Sequence, residues 1–142
     1  MVYVDTSVLV ALILPEPKSA AVIRWYASVA DELVSAAWCV TEFASALGIK
    51  QRTGQIDEVQ GQAAWQRFER LCANALQLLA VEPATFYRAG ILALDAATGL
   101  RAGDALHLAV ALEAKAQSVA TLDDLFGKNA LQLKFEVMGF GK

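Results

Sequence analysis

The stretch MVYVDTSVLVALIL, residues 1–14, decides how the rest of the chain is read. It opens on three β-prone residues, Val2-Tyr3-Val4, and passes through Asp5 into a run that suits a helix. Thr6 or Ser7 stands where it can cap that helix, and Pro15 closes it. The stretch looks superficially like a secretory leader, but it lacks a basic n-region and Asp5 interrupts its apolar run. A first strand followed by a helix fits better. The longest apolar run, Val8 to Leu14, falls far short of the roughly 18 residues that a membrane span needs.

The same alternation continues outward from this start. A second helix opens at Pro17 and runs to about Ala30, and Leu33-Val34-Ser35 reads as a second strand. The pattern then predicts a helical hairpin over about residues 38–74. Its first helix runs from Trp38 to Arg52 and ends at Thr53-Gly54; its second is capped by Asp57 and ends near Asn74. Leu76 to Val81 is a third strand. Pro83 starts a helix that stops at Gly99, and Gly103-Asp104 starts another to about Gln117. Ser118-Val119-Ala120 is a fourth strand, Thr121 to Gly127 a loop and short helix, and Lys134 to Val137 a fifth strand. Strands alternating with helices imply parallel pairing with right-handed crossovers. The expected fold is α/β: a three-layer α/β/α sandwich around a mainly parallel five-stranded sheet, one domain over residues 1–142. In such sheets the working crevice lies beyond the carboxyl ends of the strands.

Composition narrows the function classes. Of 142 residues, 56% are hydrophobic and 19% charged, which excludes general disorder. Twelve basic against fifteen acidic residues give a net charge of −3, without the overall basic footprint of most nucleic-acid binders. Cys39 and Cys72 sit in apolar helical patterns, with no CxxC spacing and a single histidine in the chain, so zinc is disfavoured. Two buried, reduced thiols in a cytoplasmic protein are expected.

The acidic residues carry the chemistry. Asp5 ends the first strand, Asp123 closely follows the fourth, and Asp104 occupies the first turn of the helix leading into that fourth strand. Glu42 lies early on the helix after strand two, among Trp38, Val40 and Phe43. Each has a plainer role open to it: Asp5 and Asp104 as helix caps, Asp123 and Asp124 as turn residues, Glu42 as a surface acid. Jointly they say more, because four separated segments deliver four acids to one rim. Packed carboxylates repel unless protonated or neutralised by cations, and oxygen ligands suit Mg²⁺ or Mn²⁺. Two such ions about 3.5–4 Å apart can activate water and stabilise the leaving oxygen in phosphodiester cleavage. Two divalent ions would also bring the formal charge from −3 to +1, so the acidic balance does not argue against a nucleic-acid partner.

These blocks resemble the PIN-domain family, and within it the VapC-type toxins of toxin–antitoxin pairs. The resemblance rests on Asp5-Thr6-Ser7-Val8-Leu9-Val10, Thr41-Glu42, Leu100-Arg101-Ala102-Gly103-Asp104-Ala105-Leu106-His107-Leu108-Ala109, and Ala120-Thr121-Leu122-Asp123, in the family's order. It implies a metal-dependent endoribonuclease with Asp5, Glu42, Asp104 and Asp123 around one or two Mg²⁺ or Mn²⁺ ions. Asp124 is a possible alternative fourth ligand, and Ser7 and Thr121 match supporting hydroxyls. Activated water would attack the phosphate in line, leaving a 5′-phosphate and a 3′-hydroxyl. The implied partners are an RNA substrate, a cognate antitoxin protein and a second copy of the chain as a homodimer, with no membrane.

Other residues stand beside the quartet. His107 follows Asp104 by three positions on a largely apolar helix, and a packed core histidine is expected. Trp25, Trp38 and Trp65 are expected to pack, Trp65 with Phe68 and Leu71 against a neighbouring helix. Lys50, Arg52, Arg67 and Arg70 on the hairpin form a solvated face or a basic wall for RNA, and Arg101 a phosphate contact or an ion pair. Asp95 is expected to face solvent within its helix. Rival functions include a noncatalytic PIN-like binding module, which the intact quartet disfavours, and a housekeeping PIN nuclease. A receiver domain lacks its late lysine here, and an aspartyl phosphatase lacks its second aspartate, since Ser7 stands in that place.

Overall fold

The computed structural model describes residues 1–141. The chain begins with β1 (Val2–Val4), α1 (Thr6–Ile13), α2 (Ser19–Ser28) and β2 (Leu33–Ala36). The hairpin follows as α3 (Trp38–Arg52) and α4 (Glu58–Asn74), then β3 (Leu76–Leu79) and α5 (Pro83–Leu94). A short 3-10 turn (Ala96–Thr98) leads to α6 (Ala102–Ala114), β4 (Ser118–Ala120), α7 (Asp124–Gln132) and β5 (Glu136–Met138).

The five strands form one sheet in the order β3-β2-β1-β4-β5, and every neighbouring pair is parallel. The expected sandwich is therefore present, with a fully rather than mainly parallel sheet. Strand pleating sends alternate side chains to opposite faces. Val2 and Val4 join a core cluster with Val8, Val22, Phe43 and Phe68, under α1 to α4. Tyr3, between them, joins Val34, Leu108, Val119 and Phe126 on the other face, under α6 and α7. The hairpin closes on an aromatic stack: the Phe43 and Phe68 rings are 4.2 Å apart and nearly parallel, with Trp65 alongside. Trp25 packs edge-on against Phe140.

Local chemistry explains most element ends. Asp57 and Gln60 form a reciprocal capping box at the start of α4. Pro83 sits in the first turn of α5, where its missing N–H costs nothing. Several ends differ from expectation: α2 starts at Ser19 rather than Pro17, and β3 stops at Leu79 rather than Val81. α5 stops at Leu94 because Asp95 turns the chain, its carboxylate accepting from the Ala97 N–H; Asp95 is exposed, but at a helix end rather than within a helix. α6 stops at Ala114, where Lys115 takes up a left-handed conformation (φ 57°). Lys134 is likewise left-handed (φ 75°), so it forms a turn, and β5 starts only at Glu136. α7 runs past Gly127 to Gln132, with Phe126, Asn129 and Ala130 buried. Cys39 is buried and its thiol is pushed up to about 12 by burial, whereas Cys72 is only half-buried, less enclosed than expected.

Candidate metal centre and active-site crevice

The chain leaves β1 toward β2 and β3 on one side and returns on the other side as β4, so its direction switches between β1 and β4. Such a switch point opens a crevice at the carboxyl ends of the two strands. Asp5 stands directly after β1 and Thr121 directly after β4, on either side of that crevice. Glu42 arrives on the second turn of α3, just beyond β2, and Asp104 on the first turn of α6.

Asp5 is 5% exposed and does not cap α1 with its side chain. Instead its Oδ2 accepts hydrogen bonds from Ser7 Oγ (2.9 Å) and Thr121 Oγ1 (2.7 Å). Each hydroxyl is anchored in turn: the Leu122 N–H donates to Ser7 Oγ, and the Asp123 N–H to Thr121 Oγ1. The two hydroxyls thus tie β1 to the loop after β4 and fix the carboxylate between them. Asp123 is exposed at the head of α7, where one of its oxygens caps the helix by accepting from the Phe126 N–H at 2.8 Å. Asp124 begins α7 and lines a groove shared with Lys18, Lys128 and Phe140.

Glu42 is partly buried and held tightly. Its Oε1 accepts from Thr6 Oγ1 at 2.6 Å and from the His107 imidazole Nε2. Burial pushes the Glu42 carboxyl up, but those bonds and the positive charge of His107 outweigh burial and set it below the ordinary range. His107 is fully buried, as expected, yet it is more than packing, because it touches one of the four acids. Burial lowers its basicity; the Glu42 bond and the charges of Asp5, Glu42 and Asp104 raise it further, for a net rise. Periodicity placed His107 near Asp104 but gave no signal of its reach to Glu42 on another helix. Gly103 lets α6 come close to α3: a Cβ there would lie 3.1 Å from Glu42 Oε2 and 3.5 Å from the Trp38 indole nitrogen.

Asp104 reports the electrostatics of the crevice. Its carboxyl is pushed up to about 6, first by burial and then by the charges of Asp5 and Asp123, with Glu42 adding and His107 opposing. The other three acids therefore all act on Asp104. Among the described residues neither Asp5, Asp104 nor Asp123 has a salt-bridge partner, and no three acidic, histidine or cysteine groups already close around a common centre. The donors are carboxylate oxygens gathered along one crevice, and three of the four acids lack a salt-bridge partner among the described residues, a chemistry that fits a hard divalent cation.

The basic residues lie elsewhere. Lys50 is eight positions beyond Glu42 on α3, about 12 Å along the axis, and its ammonium is tied to Glu16 at 2.5 Å and to Gln55. Arg67 donates to the Ile13 carbonyl, bracing α4 against the end of α1. Arg52, Arg70 and Arg101 are exposed, Arg101 in the residue just before α6.

The PIN domain family matches residues 2–131 of this sequence. The chain belongs to the PIN-domain family. PIN domains are nucleases as a family and generally use divalent metal ions. No curated protein matches the chain. Solved structures share the PIN fold at low identity. VapC20 from Mycobacterium tuberculosis, a toxin that cleaves the sarcin-ricin loop, is 16% identical at a TM-score of 0.75, covering 91% of this chain and 95% of that one. FitAcB from Neisseria gonorrhoeae is 18% identical at 0.74, covering 99% and 98%. FitAB bound to the IR36 DNA fragment is 19% identical at 0.72, covering 99% and 95%.

Proposed function

We propose that this PIN domain, spanning residues 1–142, is an Mg²⁺- or Mn²⁺-dependent endoribonuclease and the VapC-type toxin of a type II toxin–antitoxin pair, acting in the cytoplasm. The observation that carries the nuclease reading is the gathering of Asp5, Asp104 and Asp123 at the β1/β4 switch point, where the charges of Asp5 and Asp123 help to raise the Asp104 carboxyl and none of the three has a salt-bridge partner among the described residues. Asp5, Asp104, Asp123 and Glu42 would hold one or two ions. When bound, such ions lower the pKa of water and neutralise charge on the phosphate. The chain's own residues prepare the place. Ser7 and Thr121 hold the Asp5 carboxylate in one orientation. Thr6 and His107 hold Glu42. Asp104 is only about half charged near pH 6 while no cation meets it.

The toxin assignment draws on VapC20, and it brings the expectation of an antitoxin protein and a homodimer. An apolar face on α5 supports a protein partner: Phe86, Tyr87, Ile91 and Leu94 are each more than half exposed. No helix among the described residues is long and apolar enough to cross a membrane. The test is RNA cleavage by the purified chain, expected with Mg²⁺ or Mn²⁺ and lost in EDTA or in Asp104→Asn. Unchanged cleavage by that variant would remove the site assignment. Expression should arrest growth, and Asp5→Ala should relieve it; no arrest under strong expression would count against the toxin role alone.

A further inference from the structure

A single line of hydrogen bonds runs from the sheet backbone to the acidic centre. The Ala36 N–H, at the end of β2, donates to Tyr3 Oη at 3.0 Å, and Tyr3 Oη meets His107 Nδ1 at 2.5 Å. Nε2 of the same ring meets Glu42 Oε1. Burial holds the Tyr3 phenol protonated well above its ordinary range, so its one proton needs an acceptor. His107 Nδ1, at 2.5 Å, is the side-chain partner the geometry gives it. In the neutral ring the proton then sits on Nε2, aimed at Glu42. Tyr3 lies two residues before Asp5 and so shares its side of the strand. The line therefore references Glu42, carried on α3, to the same strand that delivers Asp5.

We propose that His107 is a positioning residue for the acidic centre: clamped by the Tyr3 hydroxyl, it holds Glu42 Oε1 and leaves Oε2 on the α6 side, against Gly103. The inference rests on the nuclease reading above and adds a residue outside the quartet. A buried histidine needs a partner on each nitrogen, and here the partner of Nε2 is one of the four acids, which ties the ring to the acidic centre. A buried polar group without partners is costly, so each bond in the line constrains the next.

The test uses the full chain and two substitutions that divide the ring's roles. His107→Gln places an amide near the Nε2 position and can still reach Glu42; His107→Asn reaches only the Nδ1 side. With Mn²⁺ alone, calorimetry should show binding to His107→Asn weakened by about tenfold or more, the scale of lost outer-shell support. On RNA, kcat should fall by a similar factor while KM stays within about twofold, and His107→Gln should recover most of both. His107 is the chain's only histidine, so its imidazole nitrogen resonances are unambiguous. In wild type, Mg²⁺ should move the Nε2 resonance, and Tyr3→Phe should move that of Nδ1. These spectra decide the matter if the His107 variants do not fold. Equal losses in the two variants, unchanged Mn²⁺ affinity and kcat in His107→Asn, or an imidazole indifferent to Mg²⁺ would overturn the proposal. Asp104→Asn separates the layers: if it still cuts RNA, the nuclease reading fails; if it is inactive while His107→Asn behaves as wild type, only the positioning role fails.

Discussion

Asp104→Asn should make the metal-free protein more stable while destroying its activity. The Asp104 carboxyl moves from an ordinary 3.8 to about 6 in the fold. Each unit is worth about 1.4 kcal/mol, so the upper bound is about 3 kcal/mol. Asp104 is only partly buried, and solvent screening reduces the expected effect to about 1 kcal/mol. The sign follows from the raised value. The folded state binds this proton more tightly than the unfolded chain, so its stabilising contribution is complete below about pH 4. It is lost as pH rises through about 6. Asparagine carries no charge at any pH and escapes that loss. Thermal unfolding in EDTA at neutral pH should therefore place the variant about 3 °C above wild type. The gap should shrink toward zero as pH falls from about 6 to about 4. Adding Mg²⁺ or Mn²⁺ should reverse the order, because binding to the folded state stabilises the wild type far more. A variant less stable than wild type in EDTA at neutral pH, or a pH-independent gap, would refute the reasoning.

Thr121→Val removes the donor to Asp5 and the acceptor for the Asp123 N–H together. It should lower kcat about tenfold and cost about 1–2 kcal/mol in denaturant unfolding. Phe68→Ala empties the centre of the stacked hairpin, where the ring is 1% exposed. It should cost about 3–5 kcal/mol by the same measurement, with the metal affinity of the protein that remains folded unchanged.

Much of this architecture was legible in the sequence because it depends on local signals. β-prone triplets, Asp57 with Gln60, Pro83 and the Thr53-Gly54 stop each act over a few residues, and they set the element order. The carboxyl-end rule then located Asp5, Asp104 and Asp123 without any knowledge of distance. What escaped is what depends on long-range geometry. Lys115 and Lys134 adopt left-handed conformations that nothing in a lysine announces. Lys50 and Arg67 read as part of a solvated face or a basic wall, but their heads are engaged by Glu16 and by the Ile13 carbonyl, partners from distant segments. His107 was placed in the core by its apolar neighbours. Its link to Glu42, 65 residues away, exists only because α3 and α6 meet over the end of β1.

The central claim is that this acidic crevice cuts RNA with the help of a divalent ion, and the ends of the products test it most directly. An end-labelled RNA incubated with the purified chain, with Mg²⁺ or Mn²⁺ and in matched EDTA, should be cleaved only with the ion. The cut should leave a 5′-phosphate and a 3′-hydroxyl. Cleavage that persists in EDTA, or that leaves a 2′,3′-cyclic phosphate, would contradict the account.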